Sequence, residues 1–513
     1  MMMRFFLIQA GRIAKKFAIL TACFWFLTAC EEQPRPTLQA IPPEKSEYQL
    51  SRAIYSAYLQ LDPQFVKVAA DAAPVRDLLV GLVAYQRTGE IIPAMAQEWF
   101  SDDGKNWLFI LTENARWSNG QPVTAEDFVA SWQRLADPQN GSPLAPYLVY
   151  MNVENAKQIL SGEKAPETLG VQALNPYTLQ IRLQQPQFNL PYMLAHTALL
   201  PTYQGKKPEE GQNFISNGSY KVLSRSKTQL TLQAVDLHIP FQKVNYQLIS
   251  TIQNPDRFDI LENPLATYHR HITSLPRLCT YFYEFNLADP LLRHKAVRQA
   301  IRTMVSSIEV SHGFGIPNHF VLPKTMVMAQ NSLQFKVSPE QLLNSMDIDA
   351  ANPVQLTLTY DNQGYHNQIA QRIIRTLSQS DLFRIVPEEV SWQQLLQKRE
   401  LRQFQLIRSG WCADHRDPVL FLLPFHSQSP DNKSGYHNEQ VDEMLTQLKT
   451  QPLSPLEREQ LILRIVYQLE SDIAILPLFQ YQRRIAFDPT IEGIDVENDS
   501  EVIYSKDLYR DKE

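Results

Sequence analysis

Two short segments hold the side chains best suited to chemistry. Arg408-Ser409-Gly410-Trp411-Cys412-Ala413-Asp414 sets a guanidinium six residues before a carboxylate, with an indole between them. Leu278-Cys279-Thr280-Tyr281-Phe282-Tyr283-Glu284 adds a second carboxylate behind a run of aromatics. Were Cys279 and Cys412 joined, an Asp–Arg pair would stand beside an aromatic wall. That layout suits a zwitterion: the carboxylate takes an ammonium and the guanidinium takes a carboxylate. It describes a binding site better than a catalytic one.

The other cysteines decide which two are free to pair. Met1 to Lys16 carries Arg4, Arg12, Lys15 and Lys16 and no acid, and Phe17 to Leu27 is an unbroken apolar and small-residue run. Such a pair of regions reads as a secretory signal, too short for a spanning helix. It ends in Leu27-Thr28-Ala29-Cys30, which resembles the bacterial lipobox, where the cysteine is acylated and becomes the first mature residue. Ordinary cleavage near Ala29 without lipid is the alternative. A polar, Pro-rich tether follows from Glu31 to Pro43. With Cys23 lost and Cys30 acylated, Cys279 and Cys412 remain. Two thiols in an oxidising compartment favour one disulfide, against two separate buried thiols. Glu31 replaces the aspartate that favours inner-membrane retention, so either membrane of a two-membrane cell can hold the anchor.

About 480 mature residues are long for one core and imply two or three domains. No second stretch is long and apolar enough to cross a membrane. Without the four basic signal residues, 44 Lys and Arg stand against 54 Asp and Glu, a net charge of −10. That argues against nucleic acid or anionic headgroups as partners. Gly is scarce at 17 and Pro frequent at 34, which predicts stiff connections.

Short strands and capped helices alternate, an α/β pattern. Trp107 to Leu111 and Tyr177 to Leu183 read as strands. Thr124-Ala-Glu-Asp127 resembles a capping box that opens a helix with Phe128, Trp132 and Leu135 on one face, stopped by Asp137-Pro138. Ser454-Pro455-Leu456-Glu457 opens a second helix, through Leu461, Ile465 and Leu469, into a strand over 473–482.

Ala115-Arg-Trp-Ser-Asn-Gly-Gln-Pro-Val-Thr-Ala-Glu-Asp-Phe-Val129 resembles a signature of bacterial extracellular solute-binding proteins of the peptide/nickel class, family 5. Ser131-Trp-Gln-Arg134 with Asp137-Pro138, Cys279 to Asn286, and Gly410-Trp-Cys-Ala-Asp414 narrow the resemblance to the oligopeptide-binding branch. It runs from about Tyr48 to the C-terminus. It implies an α/β, two-lobed periplasmic-binding-protein fold of the three-domain type, with a ligand cleft closed by a hinge. Domain I is expected over 45–85, 202–278 and 488–513, domain II over 86–201 and domain III over 279–487, behind a signal (1–29) and tether (30–44).

The resemblance also assigns roles. Asp414 would anchor a peptide's ammonium, against the alternative of pairing with Arg416. Arg408, Arg399 and His366 would take ligand carboxylates at staggered distances, as peptides of several lengths require at ~3.3 Å per extended residue, with an exposed surface role as the alternative for Arg399 and His366. Glu284 would line a side-chain pocket and favour basic residues, with Trp411 and Tyr283 as walls. The alternative for Tyr281, Phe282 and Tyr283 is alternate core and surface positions of a strand. Cys412 belongs to the same site through its disulfide with Cys279. The expected partners are an oligopeptide, the permease subunits of an ABC importer and, through the lipid on Cys30, a membrane; the chain is expected to be a monomer.

No cofactor and no metal is implied: His269 and His271 lie two apart without an adequate ligand set. The stretch Arg257 to His271 is shorter than relatives show and could reshape the cleft rim. No Gly-x-Ser-x-Gly, His-Glu-x-x-His or phosphate-binding glycine loop occurs, so no enzyme is indicated. Two other readings stand beside broad peptide binding. One is the same fold dedicated to a single ligand (murein peptide, haem, glutathione), since fold alone does not fix the ligand. The other is a secreted hydrolase without a familiar motif.

Overall fold

A computed structural model describes residues 47–511, apart from 55, 57, 68, 210, 250–256, 263, 265–267, 269, 270, 327–336 and 414. Cys30, the signal, the tether, His269 and Asp414 therefore lie outside the described residues. Among those described, no helix is long and apolar enough to cross a membrane.

The local rules act where the residues call for them. Helix Ala125–Ala136 starts where the Asp127 carboxylate accepts from the Thr124 N–H at 2.9 Å. The same oxygen accepts from the Trp117 indole at 3.1 Å, tying the signature segment to the helix. Phe128, Trp132 and Leu135 are buried on its inner face. Helix Pro455–Asp472 is capped reciprocally by Ser454 and Glu457. It ends one residue before the predicted strand, because Ile473 turns into the left-handed region at φ 52°. A branched residue there is costly and persists because the Ile473 side chain is fully buried. The following strand is Ile475–Phe487, five residues longer at its far end than the periodicity suggests.

That strand and Ile272–Phe285 form the spine of an 11-stranded mixed sheet. On one side lie Leu406–Cys412, Val354–Asp361 and Phe383–Val390; on the other, Ile260–Glu262, Gln49–Ile54, Lys243–Leu248, Gln229–Ala234 and Tyr220–Arg225, with the short strand Gly315–Pro317 paired to Ile475–Phe487 off this path. A separate four-stranded antiparallel sheet holds Ala96–Phe100, Asn106–Leu111, Thr178–Arg182 and Val171–Asn175.

Two bodies of core flank the spine. The larger gathers residues from Leu50 to Leu248 and from Ile485 to Leu508. The second has two layers, since a strand buried on both faces sends alternate residues each way. Tyr281, Tyr283 and Phe285 pack with helices Lys295–Met304 and His366–Ser378. Phe282 packs on the other face with helices Glu439–Thr450 and Pro455–Asp472. The aromatic run is thus core on both faces, not core alternating with surface.

The two long strands lose register where they pass between the bodies. Pro276 pairs with Gln482 and Thr280 with Gln480, so Arg277, Leu278 and Cys279 bulge opposite Tyr481. A bulge needs its stray backbone groups satisfied. The fully buried Gln480 amide does this, donating to the Arg277 carbonyl at 2.9 Å and to Thr325 Oγ1 at 3.0 Å.

Candidate ligand-binding site

Cys279 and Cys412 are disulfide-bonded and directly opposed in the ladder between Ile272–Phe285 and Leu406–Cys412. This antiparallel register also pairs Tyr281 with Gly410, Tyr283 with Arg408 and Phe282 with Ser409. A Cβ on Gly410 would meet the Thr280 carbonyl oxygen at 2.9 Å, so the tight strand crossing requires glycine there.

Directly opposed residues share a face, which sorts the candidate side chains into two sets. Arg408 lies with Tyr281 and Tyr283. Its guanidinium sits 5.2 Å from the Tyr281 ring centroid and 5.6 Å from that of Trp392, and it donates to the Tyr481 hydroxyl at 3.0 Å. It also donates to His366 Nε2 at 3.0 Å, while Asp361 Oδ2 is 3.7 Å away. His366 Nδ1 reaches both Asp361 oxygens, at 2.8 and 2.9 Å. Burial, reinforced by the Arg408 charge, lowers the His366 pKa. A neutral imidazole with its proton on Nδ1 fits all three contacts: it donates to Asp361 and accepts from Arg408.

The opposite face carries Glu284, Ser409 and Trp411. Glu284 receives a two-pronged ion pair from Arg399, at 2.9 and 2.7 Å, and the Ser409 hydroxyl at 3.1 Å. The cation expected to meet a ligand carboxylate and the anion expected to meet a basic side chain therefore hold each other. Trp411, half-buried, lines a small cavity with this pair and Phe425. Tyr283 is fully buried and packs edge-on to Tyr281, so it backs the wall instead of surfacing it.

Arg416, the protein cation considered for Asp414, is engaged elsewhere. It donates to the carbonyls of Thr88 at 3.2 Å and Thr325 at 2.8 Å and stands 3.5 Å from Asp499.

Between the two bodies of core, beside the disulfide, is a cavity of about 260 Å³. Arg76, His196 and Glu501 line it from one side, Cys279, Cys412 and Ala413 from the other. Above it the ladder runs out. Leu406–Cys412 has Val354–Asp361 as its second neighbour only at Leu406 and Ile407. From Arg408 to Cys412 that edge has no strand partner among the described residues, and exposure rises along it from the buried Arg408 to the exposed Cys412.

Residues 90–433 match the model of the bacterial extracellular solute-binding proteins, family 5. The chain belongs to this family. A Haemophilus influenzae protein known as a binding protein is 39% identical over 97% of this chain and 98% of its own. The periplasmic murein peptide-binding protein MppA of Escherichia coli is 28% identical, over 94% and 96%. The periplasmic oligopeptide-binding protein OppA of Salmonella typhimurium is 29% identical, over 88% and 90%. The unliganded open form of MppA superposes with a TM-score of 0.84 at 27% identity, covering 91% of this chain and 98% of that one. A second MppA structure, from E. coli, scores 0.60 at 26% identity, over 91% and 99%. The chain thus has the two-lobed fold of these periplasmic binding proteins.

Sequence reasoning missed Tyr481, Trp392 and Asp361, which fix Arg408. Tyr281 lay in a quoted motif, but nothing local links a tyrosine at 481 to an arginine at 408. Their meeting depends on the order of strands in the sheet.

Proposed function

We propose that this chain is the substrate-binding subunit of an ABC importer, holding oligopeptides in an extended conformation in the periplasm and delivering them to the permease. The observation that carries the reading is the strand edge from Arg408 to Cys412, which has no strand partner among the described residues. An exposed edge is a template for an added strand, and a peptide laid on it is held through backbone groups common to every sequence. Such a ligand sends successive side chains to opposite sides, which suits charges divided between two faces.

In this reading Asp414, two residues past the edge, anchors the ammonium. Arg408, kept by rings, a phenol and a neutral imidazole, meets a carboxylate, with His366 beside it. Domain I takes residues 45–85, 202–278 and 488–513, domain II 86–201, and domain III 279–487. The bulge at 277–279 falls at the I–III boundary and is the natural hinge. Cys30 carries the lipid that tethers the monomer to a membrane.

Isothermal titration with unmodified tri- to pentapeptides and with the same peptides N-methylated along the backbone tests this. The unmodified set binds and the methylated set does not. Equal binding of both, or turnover of any peptide, would remove the reading.

A further inference from the structure

The cavity beside the disulfide is lined by three cations, Lys67, Arg76 and Arg277, and two carboxylates, Asp499 and Glu501. Among its lining residues, Glu501 is paired with Arg277 at 2.5 Å, and Asp499 stands 3.5 Å from Arg416. Lys67 and Arg76 remain, and neither has an ion-pair partner among the described residues. Lys67 is exposed, but Arg76 is half-buried and firmly placed. One of its terminal nitrogens donates to the Ala195 carbonyl at 3.1 Å, and its plane lies 5.6 Å from the Tyr85 ring centroid. Its Nε is shut off from solvent and has no hydrogen-bond acceptor. A guanidinium so placed lacks the anion that normally accompanies burial.

His196 cannot supply that anion, but it adds a donor. It stacks on Tyr147 at 4.0 Å, and its Nδ1 accepts from the Ala198 N–H at 3.2 Å. Burial, then the Arg76 charge, push its pKa down to about 3. The imidazole is therefore neutral at pH 7, with its proton on Nε2. Arg76 and His196 both line this cavity, and a guanidinium beside a neutral imidazole is a pair that complements a carboxylate.

We propose that Arg76, with His196, forms an anion-accepting subsite that selects peptides whose first residue bears an acidic side chain. This rests on the peptide-binding reading, since it is Ala413 and the Cys279–Cys412 bridge, next to Asp414 in the chain, that place the ligand's first residue here.

The test is isothermal titration of the mature chain with Glu-Ala-Ala, Gln-Ala-Ala and Ala-Ala-Ala. Glu-Ala-Ala binds about tenfold or more tightly than Gln-Ala-Ala, Arg76→Gln brings the two within about twofold, and Arg76→Lys restores part of the preference. A wild-type ratio near one, or a ratio that Arg76→Gln does not move, overturns the assignment. A measurement without any variant guards against misfolding. In the wild-type complex the γ-carboxyl of ¹³C-labelled Glu-Ala-Ala titrates below its free value; an unshifted or raised value overturns the proposal. Failure of all three peptides to bind sinks the peptide reading itself. Binding of Ala-Ala-Ala without preference for glutamate sinks only the role of Arg76.

Discussion

Arg408 has its charge in a mostly buried place, with 11% of its side chain exposed, and its nearest carboxylate is 3.7 Å away. Its Nε has no hydrogen-bond partner. Two rings, a phenol, a neutral histidine and the more distant Asp361 carboxylate hold the cation in place, and in the proposed reading it meets an incoming carboxylate. Amidating a ligand's C-terminus should therefore weaken binding by about 1.5–3 kcal/mol, the usual worth of a charged hydrogen bond. Arg408→Gln should remove that difference between free and amidated peptides, as titration calorimetry would read. At the other end, Asp414→Ala should abolish peptide binding while the melting curve persists, and N-acetylated peptides should bind the wild type several kcal/mol more weakly, on the order expected for an uncompensated buried charge. Undiminished affinity in either case would remove the ammonium anchor. His196 gives a pH dependence. Its folded pKa of about 3 lies below the ordinary 6.5, so the unfolded chain takes up the proton first as pH falls. Stability is unaffected by this group above pH 6.5 and declines below it, by about 2 kcal/mol at pH 5. Denaturant titrations of His196→Asn should show a flatter decline between pH 7 and 5; His366 acts with the same sign.

At the scale of the strands, the bulge at 277–279 separates two well-paired ladders, and Gln480 is what makes it tolerable. Gln480→Ala strips the Arg277 carbonyl of its donor and should cost about 1–3 kcal/mol in urea unfolding. A neutral result would mean that the bulge is satisfied by solvent. This element also marks how far the sequence can be read. Caps and helix faces were legible because their causes lie within a few residues: Thr124 with Asp127, Ser454 with Glu457. The cross-strand cysteines were legible because redox compartment leaves two thiols to pair. The division of charges between faces was not. It depends on which residue of one strand opposes which of the other, a register fixed over 133 residues of separation. One step of slip would move Arg408 to the Glu284 face, and nothing in either segment alone forbids it. For the same reason Arg399 looked free, although Glu284, 115 residues earlier, holds it.

For the whole molecule, the peptide-binding reading proposed above carries a cleft that closes on its ligand. Small-angle scattering should show the radius of gyration falling when a binding peptide is added and unchanged with its acetylated counterpart; no change with either would separate binding from closure. Contacts already join residues 86–201 to residues 279–487, the Arg416 bond to the Thr88 carbonyl among them. Asn189 donates to Asp417 at 2.6 Å, and Asp417 is itself paired with Arg458 at 2.9 Å. Consider finally how the larger core is closed. Arg52, wholly buried, donates to the Ile503 carbonyl and to Ser505, 451 and 453 residues along the chain. Its strand Gln49–Ile54 is parallel to both neighbours, one of them Ile260–Glu262. Besides its ion pair with Glu262 at 2.9 Å, the Arg52 guanidinium thus gains two of its hydrogen bonds only when residues more than 450 positions away have joined this strand, a closure of very high contact order.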